Sequence, residues 1–123
     1  MYLRFVTTRR DPWTRQLQGV LTACYDLHEE GELDRHARAE LDELLWWYER
    51  NLTVPYAWVF REPAICWFRA DAGEPLQTVW WAVSFLRRHG LAVERLRTVK
   101  PGRVLYSDRH QVVAVPWRDT FRS

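Results

Sequence analysis

Apolar and polar positions alternate with a period of two at the start of the chain and then follow a helical period. The alternation over residues 1–9 predicts a strand with one buried face. Asp11 and Pro12 are typical of a helix start, and apolar residues at helical spacing continue to Gly31. We therefore expect one amphipathic helix between these points, with a left-handed cap at the glycine.

Two further helices and a buried strand are predicted in the middle of the chain. A second helix begins near Asp34, ends before Pro55 and forms a helical hairpin with the first. Residues 64–69, AICWFR, are a continuous apolar run typical of a central strand. A third helix is expected between Asp71 and Gly90.

The pattern of the C-terminal third of the chain predicts strands separated by turns. The segments LAVERLRTV, RVLYS and HQVVAV are separated by turns at Pro101-Gly102 and Asp108-Arg109. We expect an α+β fold whose mixed β-sheet has a right-handed β-α-β unit over residues 64–99 and a C-terminal three-strand antiparallel meander. The helical hairpin and the third helix are expected to cover this sheet.

Length and composition restrict the class of protein. The chain has 123 residues, which predicts a single domain over residues 1–123, and its 47% hydrophobic and 28% charged residues are typical of a globular protein. No apolar run has the length of a membrane span or the position of a signal peptide. Cys24 and Cys66 form neither a disulfide framework nor a metal-ligand motif. These features predict a cytoplasmic protein with no membrane association, no metal and no cofactor.

Eight tryptophans are the strongest anomaly of the composition. Trp46 lies about 160° from the centre of the apolar stripe of the second helix, so we expect it to face outward. Trp81 and Phe85 lie four residues apart, on the side of the third helix opposite its main apolar stripe. This second apolar side is either covered within the monomer or forms an interface with another protein or a second copy.

Basic residues concentrate in the second half of the chain. Residues 1–52 carry seven basic and ten acidic side chains, and residues 53–123 carry eleven and six. Arginines on strands beside an aromatic ring can hold phosphate and stack a base, which predicts a site for nucleic acid or a phosphorylated ligand. The candidate residues of this site are Arg95, Arg97, Thr98, Tyr106 and Gln111.

The net charge of only +2 and the absence of a nucleic-acid-binding motif favour a different interpretation of the same residues. In this interpretation the arginines form a solvated cationic face, partly paired with acidic neighbours. Nucleic acid is therefore the less favoured partner.

Asp108 and His110 are the best candidates for catalysis, with Tyr106 beside them. If one strand continues through both, alternation places them on the same side, where the carboxylate could orient the imidazole as a general base. Asp in a tight turn more often serves turn geometry. Cys66 lies in an apolar segment, where a buried and inert thiol is expected. The sequence thus leaves an enzyme unsupported.

Three segments, MYLRFVT, AICWF and TVKPGRVLYSDRHQVVAVPWRDT, resemble a family of short uncharacterised bacterial proteins. The resemblance covers most of the chain, implies a bacterial and cytoplasmic origin, and carries no assigned activity. It implies that a site would lie in the tail, at Arg97, Thr98, Tyr106, Asp108, His110 and Gln111.

The sequence as a whole favours an interaction module that self-associates, or binds a protein partner, through Trp46, Trp81 and Phe85. The first alternative is binding of nucleic acid or a phosphorylated ligand at the arginine-rich strands. The second is a small hydrolase-type enzyme that uses His110.

Overall fold

The computed structural model describes residues 1–55 and 57–121 of the chain. Within them lie six strands, three α-helices and one 3-10 helix over Ala57–Arg61. The strands are β1 (Tyr2–Arg10), β2 (Leu17–Gly19), β3 (Ile65–Arg69), β4 (Glu94–Thr98), β5 (Arg103–Ser107) and β6 (Gln111–Val115). The helices are α1 (Val20–Glu30), α2 (Arg35–Asn51) and α3 (Glu74–Arg88). The predicted α+β class is confirmed.

All the strands belong to one sheet, and every described pair of neighbours is antiparallel. The expected mixed sheet is therefore replaced by an antiparallel one. β3 and β4 both pair with β1, on its opposite edges, and so run parallel to each other. The β-α-β unit joins these two strands across β1 instead of joining direct neighbours.

The predicted three-strand meander is wrong in one strand. β5 and β6 form the expected hairpin, but β4 pairs with β1 over the register from Tyr2 opposite Thr98 to Val6 opposite Glu94. The reason is that α3 carries the chain across the sheet before β4 begins, so β4 reaches the far edge of β1. A short link through the buried Pro101 then returns the chain to β5.

The first helix starts eight residues later than its sequence signal indicates, at Val20 instead of Pro12. Asp11 Oδ1 accepts hydrogen bonds from the backbone N–H groups of Trp13 and Thr14, at 2.8 and 2.9 Å, but the turn that it caps leads into β2. An aspartate caps a tight turn with the same bonds that cap a helix, so the local pattern does not separate the two. At the other end, Gly31 is extended, with φ −77°, and the expected left-handed cap is absent.

The second and third helices follow their predicted limits more closely. Asp34 caps α2 by accepting from the N–H of Ala37 at 2.8 Å. α3 ends just before Gly90, whose φ of 87° suits a glycine. Its start lies at Gly73 and Glu74, so Asp71 is not its capping residue.

Two of the three buried clusters in the described residues lie on opposite sides of the sheet. On one side, apolar residues of all three helices pack against Phe5 and Phe68. On the other, Trp67 forms a second cluster with its neighbours on β3 and β6. The turn after β6 contacts this second side: the ring of Phe121 lies 5.8 Å from that of Trp67, and Thr98 donates a hydrogen bond to the carbonyl of Thr120 at 2.6 Å.

β2 and β3 share one edge of β1. Val6 pairs with both β2 and β4, which therefore lie on opposite edges, and Tyr2 pairs in the same way with β3 and β4. Arg4 lies between these two positions. Its guanidinium donates to the carbonyl oxygen of Leu17 in β2 at 2.7 Å and to that of Cys66 in β3 at 3.0 Å. The side chain thus bridges the point where the two strands diverge.

Candidate binding site

The three predicted interface residues do not form one surface. Trp46 faces outward as expected, with 55% of its surface exposed and the guanidinium of Arg50 4.7 Å from the ring centroid. Trp81 is half-buried and donates from Nε1 to Glu40 at 2.8 Å. Phe85 is fully buried, so for this residue the covered interpretation holds and the interface interpretation is wrong. α3 packs against both α1 and α2, so the side that carries Phe85 is covered within the monomer, while Trp80 is 44% exposed.

The predicted anion-binding residues are divided between distant strands. Arg95 and Arg97 lie together, exposed, on β4, whereas Tyr106 and Gln111 lie on β5 and β6. Arg97 and Gln111 occupy the two ends of a cross-strand row, with residues of β1 and β3 between them, which corresponds to about 15 Å at the usual strand spacing. Thr98 is buried. The five residues therefore do not form a single site.

Several basic side chains of this half are neutralised by acidic neighbours. The ion pairs are Arg88 with Glu40, Lys100 with Asp119, and Arg103 with Glu62. Arg95 and Arg97 take part in none of the ion pairs in the described part of the chain. Binding of nucleic acid or a phosphorylated ligand there stays a prediction that rests on these two arginines.

The candidate catalytic residues meet in the turn between β5 and β6, but not as a general base. Asp108 Oδ1 accepts from the backbone N–H groups of His110 and Gln111 at 2.8 and 3.0 Å, and Oδ2 accepts from the hydroxyl of Tyr106 at 2.8 Å. The imidazole bonds elsewhere: Nε2 lies 3.1 Å from Nε of Arg109, and Nδ1 is buried without a hydrogen-bond partner. The expected carboxylate-imidazole bond is absent because these residues form a turn, where strand alternation does not apply.

The titration of Asp108 agrees with a role in the turn. Burial alone would raise its pKa, but the hydrogen bonds from His110, Tyr106 and Gln111 outweigh burial and hold the pKa below its usual range. The carboxylate is therefore ionised and saturated with donors at neutral pH. Such a group stabilises the turn geometry and is a poor base.

A cavity of about 200 Å³, here called the apolar cavity, opens between the helices and the sheet. Residues from α1, the end of α2, the following loop, the 3-10 helix and two central strands line it. They are Leu21, Tyr25, Tyr48, Glu49, Leu52, Thr53, Val54, Pro55, Phe60, Cys66, Gln111 and Val113. A concave and largely apolar space with a few polar groups has the usual character of a small-molecule site.

Cys66 and Gln111 provide the polar groups on the sheet side of the apolar cavity. The thiol donates to Oε1 of the buried glutamine at 3.1 Å, and Nε2 donates to the carbonyl of Thr53 at 2.6 Å. Burial raises the pKa of Cys66 to about 12. The thiol is thus neutral at physiological pH, which makes it a hydrogen-bond donor and not a nucleophile.

Tyr25 and Glu49 form the polar group at the mouth of the cavity. The phenol donates to the carboxylate at 2.8 Å, and both residues are exposed. Burial, followed by this hydrogen bond and the charge of Glu49, raises the pKa of Tyr25 to about 12. Leu21, one helical turn before Tyr25, places an apolar side chain on the same wall.

Two residues of this cavity are singled out by the sequence: Gln111 is assigned there to a different site, and Cys66 is expected to be a buried and inert thiol. A signal for the actual place of Gln111 exists: it is a polar residue at the start of the apolar strand QVVAV, where a buried amide needs partners. Leu21 carries no comparable signal, because a leucine that lines a cavity and one that fills a core follow the same helical pattern.

Within residues 1–55 and 57–121, no three His, Cys, Asp or Glu side chains are grouped as metal ligands. No helix in the same ranges has the length and apolarity needed to cross a membrane. Comparisons of the chain with protein-family models, curated proteins and solved structures found no match. The resemblance to a bacterial family stays a prediction.

Proposed function

We propose that the protein is a non-catalytic binding module for a small, mainly apolar molecule, held in the apolar cavity. The observation that carries this proposal is the cavity itself: about 200 Å³ of space, walled mainly by apolar side chains, with the Cys66-Gln111 pair on one wall. The neutral thiol and the turn-forming Asp108 support a binding role over a chemical one.

The size of the cavity limits the ligand. Sites for drug-sized molecules have volumes of roughly 300–1,000 Å³, so this cavity suits a smaller molecule, such as a chain of about six carbons. Burying five methylene-sized groups at about 0.8 kcal/mol each contributes roughly 4 kcal/mol. Because the entropy lost on association opposes this gain, we expect a dissociation constant of about 1 mM or weaker.

Titration of the ¹⁵N-labelled protein with 1-hexanol tests the proposal. We expect saturable shifts, with millimolar affinity, in the amide resonances of Leu21, Tyr25, Thr53 and Gln111. Shifts that do not saturate, or that concentrate elsewhere on the surface, would contradict a specific site.

A cavity-filling variant makes the test specific. Leu52 is half-buried and lines the apolar cavity, so Leu52→Trp should weaken hexanol binding at least fivefold. Leu91→Trp is the matched control, because Leu91 is also half-buried but lines a separate depression beside Gly31. Equal affinity in the two variants would place the ligand outside the apolar cavity.

Self-association through Trp46 is a second candidate function, favoured by the exposure of 55% of this side chain. Its surroundings on α2 include the exposed Glu43, and the unpaired Arg95 and Arg97 of a second copy offer charge of the opposite sign. Light scattering should then show a dimer that Trp46→Ala and added salt both dissociate. A wild-type monomer at millimolar concentration would exclude this candidate.

A further inference from the structure

A second, smaller cavity adjoins the apolar cavity and contains a cation. It has a volume of about 100 Å³ and is here called the Arg4 cavity. Its walls are Arg4, Phe5, Gly19, Val20, Leu21, Thr22, Cys66 and Phe68. Leu21 and Cys66 line both cavities, so the two spaces lie on either side of these side chains.

The guanidinium of Arg4 has no anionic partner among the described residues. Its two hydrogen bonds go to backbone carbonyl oxygens, those of Leu17 and Cys66, and no ion pair includes it. A guanidinium has five N–H donors, so three remain beyond these two bonds. The carboxylate that affects the pKa of Arg4 is that of Asp11, whose Oδ1 accepts from two backbone N–H groups.

A guanidinium that is partly withdrawn from water without a counter-charge is unfavourable. Arg4 is half-buried, and burial is the main cause of its lowered pKa, in agreement with surroundings that disfavour the cation. Charges in such surroundings are usually paired, and planar carboxylates match the fork of a guanidinium with two parallel hydrogen bonds. A planar carboxylate would therefore match the chemistry of the Arg4 cavity.

The wall formed by residues 19–22 also favours an anion in the Arg4 cavity. Gly19, Val20, Leu21 and Thr22 include the N-cap and first turn of α1, and Gly19 has no side chain to cap the helix. The first N–H groups of a helix lack partners within it and carry partial positive charge. Both Arg4 and the first turn of α1 thus offer donors and positive charge to the same small space.

We propose that the ligand of this protein is a small amphiphilic carboxylic acid, whose carboxylate binds Arg4 and whose hydrocarbon chain lies in the apolar cavity. This inference rests on the proposed function, because the chain occupies the same apolar cavity. It adds the chemical class of the ligand and names Arg4 as the residue that selects it. The proposal requires the half-buried Leu21 side chain, which lines both cavities, to move and join them when the ligand binds.

Three ligands of equal chain length test the inference on the wild-type protein: hexanoate, hexanamide and 1-hexanol, at pH 7. Hexanoate should bind at least tenfold more tightly than hexanamide, which has the same shape without the charge. Hexanoate alone should also shift the amide resonances of Gly19, Val20 and Thr22 strongly.

The outcomes separate the two proposals. If hexanoate and hexanamide bind equally, the inference about Arg4 is wrong while the apolar binding site stands. If none of the three binds, the proposed function fails and the inference fails with it. A tenfold preference for the acid with shifts confined to exposed arginines on β4 would also overturn the role of Arg4.

Variants of Arg4 test whether the preference for hexanoate comes from the guanidinium. Arg4→Met should abolish the preference for hexanoate, and Arg4→Lys should retain part of it, because the charge remains without the planar fork. Since Arg4 also bridges β2 and β3, Arg4→Met can fail to fold, which circular dichroism detects.

Gly19→Ala provides a variant with an intact Arg4. The added Cβ would lie 3.4 Å from Nη1 of Arg4, an ordinary contact, and the φ of −70° at Gly19 suits alanine. We expect a folded protein whose preference for hexanoate falls at least threefold, because the methyl group occupies the space beside the guanidinium. An unchanged preference would place the carboxylate away from Arg4.

Discussion

The side-chain nitrogen of Gln111 lies 2.6 Å from the carbonyl oxygen of Thr53, and this hydrogen bond holds the loop after α2 against the sheet. The same amide accepts from Cys66 through its oxygen, so its donor and acceptor groups are both engaged. One buried side chain therefore fixes a wall of the apolar cavity and part of its polar surface.

Gln111→Leu should destabilise the protein by about 1–3 kcal/mol, because it leaves the Thr53 carbonyl and the Cys66 thiol without their partner. Urea denaturation measures the loss. Gln77→Leu on the exposed surface of α3 is the matched control, with an expected change within about 0.5 kcal/mol. Equal stability of the two variants would contradict the role assigned to Gln111.

Buried and exposed tryptophans should contribute very differently to the free energy of unfolding. Trp67 is fully buried, so Trp67→Ala should cost about 3–5 kcal/mol in the free energy of unfolding. Trp46→Ala should cost no more than about 1 kcal/mol, since it loses mainly the contact with Arg50. Thermal or urea unfolding of both variants checks the difference, and a large loss for Trp46→Ala would indicate that its ring is covered.

Gly102 should be far less tolerant of alanine than Gly90. Both have positive φ, 121° and 87°, but a Cβ at Gly102 would lie 2.0 Å from the carbonyl oxygen of Val115, whereas Gly90 faces open space. We expect a loss of about 3 kcal/mol or more for Gly102→Ala, and about 1 kcal/mol for Gly90→Ala. Melting temperatures in the reverse order would show that the link between β4 and β5 is looser than described.

Stability should fall in acid, partly through Asp108. Its pKa is lowered on folding, so its stabilising effect is complete at neutral pH. The effect is lost as the pH drops below about 4 and through the lowered pKa of the folded state. Urea denaturation at pH 7 and pH 3 should therefore show a smaller pH dependence in Asp108→Asn than in wild type. The exposed Glu29→Gln serves as control, and an Asp108→Asn profile identical to wild type would contradict the prediction.

The helices that were predicted correctly are those whose ends carry their own local signals. Asp34 caps α2 in the structure as its place in the sequence indicates, and Gly90 follows α3. Asp11 gives the same signal and yet precedes β2, because pairing with β1 competes for the residues after it. The local sequence predicts the capping hydrogen bond, but it does not predict the strand that pairs with the residues after it.

The candidate site could not be derived from the sequence for a related reason. Arg97 and Gln111 belong to consecutive parts of the C-terminal tail, and the sequence places them in one meander. The structure moves β4 to the far edge of β1, which separates them. Arg4, in contrast, resembles any polar residue of an alternating strand, and its position follows only from the divergence of β2 and β3.

The hydrogen bonds from Arg4 to the carbonyls of Leu17 and Cys66 also affect local unfolding of the native protein. An edge hairpin ordinarily frays by itself, at little cost to the remaining sheet. Here the hairpin of β1 and β2 cannot separate from β3 without breaking the hydrogen bond from the Arg4 guanidinium to Cys66, in addition to the pairing of β1 with β3. We therefore expect the N-terminal hairpin and β3 to open together, as one cooperative unit.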